Sequence, residues 1–189
     1  ACRPRAETIR YYGPKSAWFS AFDEGDYRWL IEDGKGGRNK DARTLFFYIA
    51  TVNTPAMVLE MIGVGSQYAL AATDLKGRYL EGSENYKLNI PADVPAKDFW
   101  SLVVYDPQTR SMLQTDQPYP SKNNERNLDL KTNPDGSTTI WFGPKAPAGN
   151  ESNWIQTVAG KGWFLCLRLY GPLEPWFNKT WRPGEIEKL

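Results

Sequence analysis

The chain contains no histidine among its 189 residues. That removes the commonest general base at neutral pH, every triad that relays a proton through imidazole, and every His-ligated metal site. Acid–base chemistry falls to Asp, Glu, Lys, Tyr, Arg or Cys, and no metal or cofactor is expected. Only two cysteines occur, Cys2 and Cys166. They allow a single disulfide and leave the redox compartment open. Net charge is nearly absent as well. Lys+Arg at 23 against Asp+Glu at 22 leave +1, so no global field draws the chain to nucleic acid or an anionic membrane. No apolar run approaches the ~20 residues that span a bilayer. The first residues, Ala1-Cys2-Arg3-Pro4-Arg5, carry neither an initiator Met nor an apolar signal core. The expectation is a processed piece of something longer.

Aromatic residues are abundant. With 8 Trp and 10 Tyr, the chain has large packing surfaces or stacking platforms to place. Its length suits one ordinary domain that buries enough surface to fold without a disulfide or metal. Residues 1–37 lack clean periodicity and read as a connecting segment, the end of a missing N-terminal domain. Within it, Asp26–Ile31 is a short helix or strand, and the basic loop 34–40 follows.

From Asp41 the pattern sharpens. Ala42, Leu45, Phe46, Ile49 and Ala50 form a helical face with Asp41 as its cap. Thr54-Pro55 restarts a second short helix, with Met57, Val58, Met61 and Ile62 as its buried stripe and Gly63 as its stop. Everything after Gly65 reads as β: strands over 67–73, 86–90, 99–105, 112–115, 128–131, 138–142 and 163–170. Asn133-Pro134-Asp135-Gly136 between two of these runs is the clearest hairpin signal. The fold class is therefore α+β, mainly β, an antiparallel β-sandwich resembling a jelly roll, with two short helices near its N-terminal side. Residues 38–189 form this domain.

A set of blocks carries a family likeness: Asp41-Ala42-Arg43-Thr44-Leu45-Phe46-Phe47-Tyr48, Gly65-Ser66-Gln67-Tyr68, Asp98-Phe99-Trp100-Ser101, Thr109-Arg110-Ser111-Met112, and Leu167-Arg168-Leu169-Tyr170-Gly171-Pro172. In these the chain resembles the bacterial tandem proteins that join domain of unknown function 1254 to domain of unknown function 1214, over about residues 38–189. The resemblance implies the C-terminal, 1214 half of such a protein, a β-sandwich with helices, and a periplasmic or secreted location. It carries no reaction.

The candidate ligand-binding residues are Arg43, Tyr48, Tyr68, Tyr105, Arg110, Arg168 and Tyr170. A guanidinium beside an apolar segment offers five donors in a fixed fork to a carboxylate or phosphate. The plain alternative is an ion pair with Asp41, Asp98 or Asp106. Arg168 alternates with Cys166 and Tyr170, so these three share one face of a strand, opposite Leu165, Leu167 and Leu169. The tyrosines supply apolar walls with hydroxyl tips. Trp100, Trp141, Trp154 and Trp163 are candidates to stack a sugar or other planar ligand, against core packing or a subunit interface. Cys166 has no imidazole to activate it, and Glu81/Glu84 and Asp93/Asp98 fall in predicted loops.

Two functions follow. The first is a non-catalytic binding or assembly module of a larger exported protein, partnered by its own N-terminal domain and by copies of itself. The alternative is an enzyme acting on a small anionic, aromatic or carbohydrate substrate, with arginine as anchor and Tyr or Asp as acid/base; its catalytic residues are unassigned. Nucleic-acid binding has only the 35–40 loop behind it and is not expected.

Overall fold

The computed structural model describes residues 10–22, 26–50 and 52–189. Cys2, half of the candidate disulfide, lies outside them, as does the start of the connecting segment.

The first strands among the described residues are a small antiparallel pair, β1 (Leu30–Ile31) and β2 (Gly37–Arg38), followed by two helices, α1 (Lys40–Ala50) and α2 (Pro55–Val58). The predicted face of α1 is the one that turns inward: Phe46 is buried and Ala42, Leu45, Ile49 and Ala50 are half-buried, while their neighbours are exposed. The cap is Asn39 rather than Asp41. Its Oδ1 accepts from the Ala42 amide at 3.0 Å, which places the helix start two residues earlier. α2 stops after one turn, and Met61 and Ile62, expected in a buried stripe, are 47% and 58% exposed.

Eight strands follow: β3 (Ser66–Ala71), β4 (Tyr86–Ile90), β5 (Ala96–Tyr105), β6 (Ser121–Asn123), β7 (Thr138–Gly143), β8 (Trp154–Gln156), β9 (Phe164–Pro172) and β10 (Glu187–Lys188), with the one-turn α3 (Glu174–Phe177) before the last. They build two four-stranded sheets, ordered β3-β9-β5-β6 and β10-β4-β7-β8. The first is antiparallel throughout. The second is mixed, because β8 runs parallel to β7, which corrects the expectation of antiparallel pairing everywhere. The protein is mainly β with few helices.

One apolar cluster joins the two sheets. Leu165, Leu167 and Leu169 of β9 and Leu102 and Val104 of β5 share it with Leu88 of β4, Ile140 and Phe142 of β7 and Ile155 of β8. Each of the β9 leucines is fully buried, and each such burial stabilises by roughly 1.5–3 kcal/mol. Trp100 and Trp163 belong to this cluster and are not available to a ligand. Residues 10–22 add to the same body. Trp18 is fully buried, and Phe19 exchanges backbone hydrogen bonds of 2.8 and 2.9 Å with Leu70, covering the free edge of β3.

Two expected strands do not form. The Lys131 amide donates to Asn153 Oδ1 and the Lys131 carbonyl accepts from Asn153 Nδ2, both at 2.8 Å, so a buried side-chain amide replaces the neighbouring strand that the hairpin signal implied. The Asn133–Ser137 turn is present, but β7 pairs with β4 instead. Of 112–115, only Met112 makes a bridge, to Tyr105. No helix among the described residues is long and apolar enough to cross a membrane.

Candidate functional site

The pleat of β9 that sends three leucines to the core turns Phe164, Cys166, Arg168 and Tyr170 to the opposite face. Register sets Tyr68 of β3 and Ser101 of β5 beside Arg168, Phe99 beside Tyr170, and Tyr105 beside Phe164. Aromatic side chains then cover this face in pairs: Phe99 stacks on Tyr170 at 4.1 Å and Tyr105 on Phe164 at 5.3 Å. Over it lie α1, Met57 of α2 and residues 20–22. Between lid and sheet is a cavity of about 500 Å³. Phe22, stacked on Phe46 at 4.8 Å, forms the lid side, with Ile49 and Ala50; Tyr68, Leu70, Tyr105, Phe164 and Cys166 form the floor.

Among the described residues, the charges lining this cavity are cationic: Arg110 and Arg168. Arg168 reaches over the rings of Tyr68 and Tyr170, at 5.5 and 5.6 Å from their centroids. The Tyr68 hydroxyl is itself held 2.7 Å from Ser66 Oγ. Burial works against the Arg168 charge, yet the surrounding Tyr170, Tyr105 and Cys166 hold its pKa above the usual arginine value. The guanidinium stays charged at every accessible pH.

Arg110 enters from the turn after β5. Asp106 builds that turn: its Oδ1 accepts from the amides of Gln108 (2.7 Å) and Thr109 (3.2 Å), and its carbonyl accepts from the Arg110 amide. Burial opposes ionisation of Asp106, but these amides and Lys161 at 3.1 Å outweigh it, and its carboxyl sits below the usual range. The turn closes with Arg110 at φ 61°, the left-handed region that costs a side-chain-bearing residue about 1–2 kcal/mol. Its guanidinium lies 4.0 Å over the Tyr48 ring and donates from Nη1 to the Tyr48 carbonyl at 2.8 Å, tying the last turn of α1 to the sheet. Arg110 Nε is buried without an acceptor. A buried charged donor left open beside a cavity calls for a partner that the described residues do not supply.

The seven residues singled out in the sequence thus separate into three groups. Tyr68, Tyr105, Arg110 and Arg168 line the cavity. Tyr48 and Tyr170 stand behind the two arginines and orient them. Arg43 lies apart, exposed on α1 with its guanidinium 5.7 Å over Phe47. None of the three arginines makes an ion pair with Asp41, Asp98 or Asp106, and Asp106 takes Lys161 instead. Sequence reading does not name Phe22, Phe46, Met57 and Phe164 as cavity walls; the helical periods, which mark Phe46 of α1 and Met57 of α2 as inward, carry a signal. Cys166 is a free thiol on the floor, pushed by burial up to about 12, and is inert as a nucleophile at neutral pH.

Residues 65–174, more than half of the chain, match the family described as "Protein of unknown function (DUF1214)". The chain belongs to this family. The match runs from the residue before β3 to the first residue of α3, so the DUF1214 region supplies the floor and both arginines, and the segments before it supply the lid. Among solved structures, the VPA0106 protein from Vibrio parahaemolyticus is similar to this DUF1214 chain with a TM-score of 0.61 and 22% identity, over 87% of this chain and 39% of that one. An uncharacterized protein from Burkholderia cenocepacia gives a TM-score of 0.42 at 20% identity, over 66% of this chain and 29% of that one. The DUF1214 chain therefore spans well under half the length of these proteins. No curated protein matches it.

The Arg110 geometry makes a direct prediction. Arg110→Gly relaxes the left-handed backbone by about 1–2 kcal/mol but loses both the stack on Tyr48, about 0.5–1 kcal/mol, and the hydrogen bond to its carbonyl, about 1.5–3 kcal/mol. The melting temperature should therefore fall modestly, for a net loss of about 1 kcal/mol. A drop of several kcal/mol would show instead that the Arg110–Tyr48 tie holds the lid in place.

Proposed function

We propose that the cavity binds a small organic anion with an apolar, planar body. The observation that carries this reading is the pair of guanidinium groups at an aromatic-walled cavity with no carboxylate within 4.0 Å of either among the described residues. Hydrogen bonds to a charged partner contribute roughly 1.5–3 kcal/mol each, and more of this is realised away from water. The stacked pairs Tyr105–Phe164 and Phe22–Phe46 offer flat surfaces to the rest of the ligand.

Binding is favoured over catalysis. Tyr105 is raised by burial, Tyr11 is raised by burial to about 12, and Cys166 behaves likewise, so these cavity-lining acids all move away from neutral pH. The same facts give a pH profile. Arginine does not titrate, and these groups ionise only above their ordinary values, so affinity for a carboxylate should be flat between about pH 6 and 9 and weaken as the ligand protonates near pH 4. Calorimetry with 2-naphthoate and its neutral amide tests this. The acid should bind at least tenfold tighter than the amide; equal affinities, or a midpoint near pH 7, would sink the reading.

We also read the chain as the C-terminal part of a tandem 1254/1214 protein, with 1–37 as connecting segment and 38–189 as the domain, its two sheets packed as a jelly-roll-like sandwich. Support comes from the longer VPA0106 protein and from the one apolar cluster both sheets share. Export to the periplasm or beyond, and assembly with an N-terminal domain or with further copies, belong to the same reading. Met61, Ile62 and Val64, all about half exposed or more, are the surface such a contact would cover.

A further inference from the structure

We propose that the outer face of the β10-β4-β7-β8 sheet is a second binding site, for a neutral oligosaccharide. Register places four side chains in one row across this sheet: Glu187 beside Lys87, Lys87 beside Trp141, and Trp141 beside Trp154. Ile140, Phe142 and Ile155, next to the tryptophans in sequence, are fully buried, so the pleat turns both indoles away from the core. Both remain partly exposed. Trp154 Nε1 donates to the Gly143 carbonyl at 3.0 Å, which sets the orientation of its ring. Of the four tryptophans the sequence offered for stacking, these are the two the fold leaves at the surface, and it sets them side by side on adjacent strands, about 4.8 Å apart.

Open polar grooves flank the row. One, of about 550 Å³, is lined by Lys87, Asn89, Asn133 and Thr139 among others. The other, of about 410 Å³, runs past Asn85, Trp141 and Lys145. Amides and hydroxyls that both donate and accept suit sugar hydroxyls, and an indole face suits the flat C–H side of a pyranose. Charge decides against other polymers. Lys87 and Lys145 are balanced by Glu187 and Asp135, with Lys87 and Glu187 paired at 3.2 Å, so nothing here selects a phosphate backbone or an acidic chain. One groove is lined by Trp141 and the other by its row neighbours Lys87 and Glu187, a span that means a ligand of several sugar units rather than one.

The test uses the whole chain with four soluble probes, cellohexaose, xylohexaose, mannohexaose and chitohexaose, read by tryptophan fluorescence and calorimetry. At least one should bind. Trp141→Ala and Trp154→Ala should each weaken it about tenfold, the effect of losing one stacked ring. Arg168→Met should leave it unchanged, which separates this site from the anion cavity. The proposal is overturned if none of the four binds at millimolar concentration, or if binding survives both tryptophan substitutions. It is equally overturned if Trp141→Ala dissolves a dimer in sedimentation, for the face would then be an interface between copies.

Discussion

Replacing Arg168 with methionine should abolish most anion affinity while leaving the fold as stable as before, or more so. Arg168 sits mid-strand in β9 with core leucines on both sides in sequence and rings of Tyr68 and Tyr170 beneath its guanidinium. No carboxylate among the described residues compensates it. A cation held partly out of water without an acid pays a desolvation cost that two ring contacts, worth about 0.5–2 kcal/mol each, only partly offset. Methionine fills similar space without charge. Losing one charged contact of roughly 1.5–3 kcal/mol means a fall in affinity of about 10- to 150-fold. Melting curves and calorimetry on the same samples check both halves. A destabilised protein that binds normally would make Arg168 a structural residue.

Trp18→Ala should be the most damaging single substitution in the first twenty-two residues. Trp18 is fully exposed to the core and not at all to water, and its Nε1 donates to the Gly184 carbonyl at 2.8 Å, joining two segments far apart in sequence. Large-to-small changes of this kind cost about 3–5 kcal/mol, a large share of the 5–15 kcal/mol that holds an ordinary domain together. The urea midpoint should fall accordingly. Trp141→Ala, on the outer face of the other sheet, is the control and should cost less than about 1 kcal/mol. If Trp18→Ala behaves like the control, residues 10–22 are an ornament on the domain and not part of its core.

The contrast between Trp18 and Leu128 shows where sequence reading succeeds and fails. Periodicity found β9 and its two faces, since alternation of leucine with Cys166, Arg168 and Tyr170 is a direct image of the pleat. It found β4 without error in its bounds, and the inward side of α1. It placed Trp18 in a segment without pattern, because burial there comes from contacts with residue 184 and with β3, which no local period encodes. It reads Leu128 as strand, yet that side chain is 89% exposed, because residues 127–130 form a turn closed by the Leu130 amide donating to the Asn127 carbonyl at 3.1 Å. The candidate site divided in the same way. Arg168 was legible from its strand. Arg110 was flagged by type, while the turn that aims it depends on the Asp106 carboxylate and a left-handed backbone that only the fold discloses.

The proposed function requires Arg110 and Arg168 to receive one anion jointly in the cavity beneath α1. The most direct measurement is a crystal structure of the chain with 6-bromo-2-naphthoate, the bromine located by its anomalous signal. The carboxylate is expected within hydrogen-bond distance of the Arg168 guanidinium and of Arg110 Nε, with the rings against Tyr105 and Phe164. An empty cavity at saturating ligand, or a carboxylate turned toward solvent with both arginines untouched, would contradict it.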